Sequence, residues 1–160
     1  MTTKFDEGKN VWNVENYSGN NNVKVVVKNN KEIVSIYKCT NSVFVISNKC
    51  NKIILDNCKK CGVLFESTIT GVDVVRSSGC QIQCKVSVPS FSIDNSDGIT
   101  VFLTQENYST IQFYTSKSSE TNITVAGASE EEDPKTYIIP SQFISKFVDG
   151  KFTTKEVSHI

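Results

Sequence analysis

Six cysteines are the residues best equipped for chemistry in this 160-residue chain: Cys39, Cys50, Cys58, Cys61, Cys80 and Cys84. Cys58 and Cys61 form a C-x-x-C pair, with Cys80 and Cys84 lying 19 and 23 residues beyond Cys61. A tetrahedral zinc site can be drawn from such a set. The same thiols can also serve as small apolar side chains, because buried free cysteines stack well in ladders. The ladder reading is favoured, since all four fall in a repeat whose other copies carry Ser or Gly. No metal is expected, and a reducing compartment argues against disulfides.

Other reactive candidates are sparse. His159 is the only histidine, at the extreme C-terminus, and is a poor general base. Asp94 and Asp97 sit close together, but in Asp94-Asn95-Ser96-Asp97-Gly98, where Asp makes turns. A polysaccharide-cleaving site would need clustered carboxylates in a groove built by longer loops. There is no nucleophile–base pair, phosphate loop or dinucleotide fingerprint. No catalytic residue and no cofactor are assigned, and an enzyme is not expected. Arg76, the only arginine, is the one group suited to supplying charge to a phosphoryl-transfer transition state.

The elements that would position these residues come from a repeat. Ile54-Leu55-Asp56-Asn57-Cys58-Lys59-Lys60-Cys61-Gly62-Val63-Leu64-Phe65 returns from Val74, from Ser92 and, more loosely, from Phe113. Each copy is an apolar run, a polar step of Asn, Ser or Cys, then another apolar run. The step falls at Asn57, Ser77, Asn95 and Ser116, at intervals of 20, 18 and 21 residues. A period of that length without helical patterning is what the coils of a β-solenoid require. Like coils stack about 4.8 Å apart, so each covers the apolar row of the next. Asn suits the corners because it tolerates the left-handed conformation.

Charge narrows the partners. Seventeen Lys plus Arg balance 17 Asp plus Glu, so the basic excess of a nucleic-acid binder is missing. With Arg76 as the single arginine, multiple bidentate phosphate forks are unavailable. The polar opening Met1-Thr2-Thr3-Lys4-Phe5-Asp6 has the character of neither a signal peptide nor a membrane span. A cytoplasmic protein with no nucleic-acid or membrane partner is expected.

In chain order, residues 1–10 read as a flexible lead and residues 11–127 as the β-helix. Trp12, the only tryptophan, is placed to cap one open end of the stack. Residues 128–136, with Glu130-Glu131-Glu132-Asp133-Pro134, read as an acidic loop ending the solenoid. Residues 137–160 read as a short extended piece, one helical turn and a hairpin with Asp149-Gly150 at its tip. A lone hairpin is marginal in water, so it must cover the last coil of its own chain or of a second copy.

Several spaced segments together resemble the C-terminal domain of cyclase-associated protein, a family that recycles actin monomers. They are Ile36-Tyr37-Lys38-Cys39, Asp56-Asn57-Cys58-Lys59-Lys60, Ser116-Lys117-Ser118-Ser119-Glu120-Thr121-Asn122 and Pro140-Ser141-Gln142-Phe143, in that order. The opening Lys9-Asn10-Val11-Trp12-Asn13-Val14-Glu15-Asn16 is similar to that domain's first strand. The resemblance covers roughly residues 9–157. It implies an all-β fold, a right-handed parallel β-helix whose C-terminal hairpin is exchanged between two subunits of a homodimer. It implies binding of ADP-loaded actin monomers and acceleration of their exchange of ADP for ATP, with no catalytic side chain. The matched polar positions are Lys38, Asn57, Lys59, Lys60, Lys117, Ser118, Ser119 and Glu120. The lysines are the expected contacts with acidic actin; Asn57 and the serine pair fit corner positions better. The tail Lys155-Glu156-Val157 matches a region that contributes to actin contact. Phe143, Phe147, Val148, Phe152, Thr154 and Val157 are the expected dimer interface. The family's usual preceding segments are not present in this sequence, so functions resting on them are not expected of it.

A rival reading shares the architecture. Tubulin-folding cofactor C and its relatives use a similar β-helix as a GTPase-activating module with an exposed arginine. They place a glutamine two residues before that arginine, where this chain has Val74. Arg76 is therefore expected to be an outward strand residue.

Overall fold

A computed structural model describes residues 1–157 of the chain; His159 lies outside the described residues. Alternation along each strand builds two faces. In β4 (Ile33–Tyr37), β9 (Ser90–Asp94) and β12 (Asn122–Val125) every second side chain is buried, as expected for a sheet with one face on the core. Six coils stack in parallel register into a β-solenoid.

One face carries β2 (Val11–Glu15), β4, β6 (Cys50–Asp56), the end of β7 (Gly62–Val75), β9 and β11 (Gln112–Ser116). The other carries β3 (Val23–Val26), β5 (Val43–Ser47), the start of β7, β8 (Gln81–Ser87), β10 (Thr100–Leu103) and β12. β7 passes from one face to the other, and Gly71 makes the bend. Its φ is +142°, and a Cβ there would fall 2.6 Å from the Ser90 carbonyl oxygen.

In-register pairing turns the buried positions into ladders. Val14, Ile36, Leu55, Val74 and Ile93 form one, and Val23, Phe44, Val63, Ile82, Val101 and Ile123 another. Phe91 and Phe113 stack with centroids 5.6 Å apart. Each fully buried Val, Leu, Ile or Phe contributes roughly 1.5–3 kcal/mol, and since every coil covers its neighbour the core has no weak layer between its ends.

Both ends depart from the sequence reading. The expected flexible lead is strand β1 (Thr2–Asp6), antiparallel on β2. The Asp6 carboxylate accepts the Gly8 and Lys9 N–H groups at 3.0 and 3.2 Å, closing a turn that folds β1 onto the otherwise unpaired edge of the first coil. Phe5 lies against Trp12 with centroids 5.1 Å apart, so β1 and Trp12 cap this end jointly. At the other end β13 (Lys135–Ile138) pairs antiparallel with β12 and begins inside the expected acidic loop. The expected helical turn near Pro140 does not form: residues 139–142 have no regular structure, and Phe143 opens the next strand. Among the described residues a single 3-10 turn, Tyr108–Thr110, sits between β10 and β11.

The hairpin forms as read. β14 (Phe143–Val148) pairs with β15 (Lys151–Glu156) as a separate two-stranded sheet, with Asp149 and Gly150 at φ 51° and 79° in the turn. Phe143, Ile144, Phe147, Val148 and Phe152 are all exposed, Phe147 at 74%.

Candidate functional site

The corner joining the two faces is where the chain departs most from ordinary backbone. Each coil turns it with two residues of positive φ, three positions apart. The first column is Asn16, Lys38, Asn57, Arg76, Asn95 and Lys117, the second Gly19, Asn41, Lys60, Gly79, Gly98 and Glu120. Asn and Gly are the inexpensive choices there. Five of the twelve are instead Lys38, Lys60, Arg76, Lys117 and Glu120, long charged side chains in a conformation that costs about 1–2 kcal/mol.

Between the two columns, one residue points inward and one outward. The inward residue must satisfy buried backbone on both sides. Ser77, Ser96 and Ser118 accept the N–H of Cys58, Ser77 and Ser96 in the preceding coil at 3.1–3.2 Å. They donate to the carbonyls two residues back, of Val75, Asp94 and Ser116, at 2.8–2.9 Å. Cys39 and Cys58 occupy the same column and donate to Tyr37 and Asp56 carbonyls at 3.4 Å. A small side chain that both accepts and donates is needed, which is why Ser and Cys alternate here. The expected corners at Ser77 and Ser116 are thus displaced: the turning residues are Arg76 and Lys117, with Ser77 facing inward and Ser116 ending β11.

The cysteines follow this logic. All six are free and buried; Cys61 and Cys80 stack in the column after the second corner, beside Ser42 and Ile99. Burial pushes the Cys50 and Cys84 thiols up to about 11. Among the described residues no group of three or more His, Cys, Asp or Glu is placed to hold a metal ion.

Of the residues singled out from sequence, Lys38, Lys59, Lys60, Lys117, Ser119 and Glu120 are brought onto this one ridge. Lys59 and Ser119 belong to the outward column Ser18, Thr40, Lys59, Ser78, Asp97 and Ser119, held by bridges from coil to coil. Ser118 points inward and its hydroxyl is engaged by backbone. Lys155 and Glu156 lie instead on β15, in the hairpin. Charge along the ridge is uneven: Lys38, Lys59, Lys60 and Arg76, with Asp56, lie in the second to fourth coils, and Asp94, Asp97, Lys117 and Glu120 in the last two, so the earlier part is net basic and the later part net acidic. The Lys38 ammonium sits 5.4 Å from the Tyr37 ring centroid.

Arg76 is a corner residue, not the outward strand residue expected. Its guanidinium forks onto Asp56 in the preceding coil, at 3.0 and 2.7 Å. Those hydrogen bonds, and the carboxylate charge, push its pKa further up.

Sequence reasoning missed two features. Glu32 is a buried carboxylate that accepts the Trp12 indole N–H at 2.7 Å and the Lys28 and Asn29 N–H groups at 3.2 Å. The second is a shallow groove of about 370 Å³ on the outer side of the second face, lined by Val43, Gly62, Leu64, Gln81, Gln83 and Phe102. The glycine two residues past a corner was its only signal.

A parallel β-solenoid with a charged, strained corner ridge and a separate exposed hairpin defines the class of protein. Residues 1–159 match the family described as adenylate cyclase associated (CAP) C terminal, and the chain belongs to that family. It is similar to cyclase-associated protein 1 of Arabidopsis thaliana, 36% identical over 92% of this chain and 31% of that protein. It is 34% identical to the adenylyl cyclase-associated protein of Dictyostelium discoideum, over 94% of this chain and 32% of that protein. The chain thus spans about a third of the length of these relatives. The crystal structure of cyclase-associated protein from Cryptosporidium parvum superposes with a TM-score of 0.87 at 28% identity, covering 98% of this chain and 96% of that one.

Proposed function

We propose that this chain binds actin monomers, prefers their ADP form and promotes exchange of ADP for ATP, acting in the cytoplasm as a homodimer. The observation that carries this reading is the ridge: long cationic side chains occupy left-handed corners where Asn or Gly would cost less, in a chain of this family. Lys38, Lys59, Lys60 and Lys117 would steer and orient an acidic partner, while Glu120 and Ser119 complete the ridge towards its acidic end. Exchange follows if the ridge binds more tightly to the actin conformation with the looser nucleotide cleft, because differential affinity alone shifts that equilibrium. No reacting side chain is required.

Dimerisation is proposed through the hairpin. Its exposed Phe143, Ile144, Phe147, Val148 and Phe152 need cover that the described residues of their own chain do not provide, and a second copy supplies it symmetrically. Lys155 and Glu156 would then reach actin from the partner's side of the assembly.

The test is release of a fluorescent nucleotide analogue from actin monomers, with and without this protein. Faster release supports the reading. Binding without faster release reduces the role to sequestration, and absence of binding overturns it. Loss of GTPase activation on tubulin through Arg76→Ala alone would favour the rival; the fork onto Asp56 argues against an arginine free to enter another active site.

A further inference from the structure

The outer sides of the two faces differ. Around β6, β7 and β9 the first face is charged, with a Lys52–Asp73 ion pair at 2.8 Å and the Arg76–Asp56 fork. The lining of the second face around Gly62 has no charge, with Val43, Gly62 and Gln81 paired in one row and Val45, Leu64, Gln83 and Phe102 in the next; Glu66 and Lys85 follow further along β7 and β8. Gly62 opens a depression in it. Nothing in the fold demands a glycine there. Its φ is not in the left-handed region, and an added Cβ would meet Val43 Cγ2 at 3.6 Å and the Gln81 carbonyl at 4.0 Å, ordinary contacts. A strand glycine weakens its strand, and where it serves no bulge or bend it leaves room for a ligand or another backbone to approach closely.

The groove opens directly off the basic part of the ridge. Gly62 follows Lys60 by two residues, about 7 Å along an extended chain, and Lys59 and Lys60 are both exposed beside it. An uncharged groove that begins two residues past a pair of exposed lysines complements a protruding apolar side chain flanked by carboxylates. We propose that the Gly62 groove receives such a side chain from the actin monomer, with Lys59 and Lys60 meeting the flanking carboxylates; this rests on actin being the partner. The groove supplies the apolar anchor that a row of surface lysines lacks, since solvated charges orient a complex more than they hold it.

Gly62→Val tests this, with Gly62→Ala as the milder filling. Neither should lower Tm, because the strand favours both over glycine. Affinity for actin monomers, measured by fluorescence titration, should fall at least tenfold for Gly62→Val and less for Gly62→Ala. Lys59→Glu should slow association and flatten its dependence on salt. If the unaltered chain binds actin and a stably folded Gly62→Val binds equally well, the groove assignment fails and actin as partner stands. If the unaltered chain does not bind, both fall.

Discussion

Removing the Glu32 carboxylate tests most directly how the first coil is held. Its side chain is 1% exposed in relative terms and collects three N–H groups: the Trp12 indole at 2.7 Å and the Lys28 and Asn29 amides at 3.2 Å. Hydrogen bonds to a charged group contribute about 1.5–3 kcal/mol each, and a stranded buried donor costs a similar amount. The Lys28 and Asn29 donors lie near solvent, so water recovers part of their loss. Glu32→Ala should therefore cost about 3 kcal/mol, a fall in Tm of roughly 6–12 °C for a chain of this size. Glu32→Gln keeps one carbonyl oxygen, able to serve Trp12 and Lys28, and should cost about 1 kcal/mol. Trp12 is the only tryptophan, so its fluorescence reports this site without labelling: Glu32→Ala should shift the native emission and Glu32→Gln leave it close to the parent's. A Tm loss under about 2 °C with unchanged emission would refute the reasoning.

Three further outcomes are expected. Lys60→Gly relieves a left-handed lysine at φ 52° and should raise stability by about 0.5–1 kcal/mol in chemical denaturation, while weakening actin binding; a drop in stability would remove corner strain as an argument for function. For the thiols, burial pushes Cys50 and Cys84 up to about 11, above the ordinary cysteine value, so the native state holds these protons longer than the unfolded chain. Their contribution is complete below pH of about 9 and is lost as pH rises towards about 11; a midpoint of urea unfolding flat across that window would contradict it. Phe147→Ser with Phe152→Ser, or deletion of residues 146–160, should halve the mass seen by light scattering at micromolar protein, whereas an unaltered monomeric parent would dismiss the exchanged hairpin.

The coil period was legible because each corner needs a small polar step, and Asn57 and Asn95 satisfy that need in the way local chemistry favours. The register slipped by one at Ser77 and Ser116 for the opposite reason. Arg76 and Lys117 take the left-handed positions that their side chains disfavour, and the neighbouring serines look like better corners, although Ser77 faces inward to accept the Cys58 N–H and Ser116 ends β11. Strand β1 was illegible because Thr2–Asp6 is weakly apolar; it is a strand only because β2 offers an unpaired edge. Glu32 reads as one more surface acid until Trp12 is folded over it.

These failures sort into two physical kinds, and the difference bears on function. At β1 and Glu32 the missing information is a tertiary partner: pairing β1 with β2, or the carboxylate with three N–H groups, makes the local choice favourable once the coil is built. At Lys38, Lys60, Lys117 and Gly62 the finished fold supplies little such return, whereas Arg76 recovers part of its corner cost in the fork onto Asp56. Asn or Gly would relax each corner, and a β-branched residue would strengthen the strand at position 62. Sites where the folded structure still disagrees with its sequence are where an interaction outside the chain belongs. Lys38, Lys60 and Gly62 fall together, on the basic part of the ridge and the groove beside it, with Lys117 farther along the same ridge, and a single partner surface bridging ridge and groove would account for them with one interface.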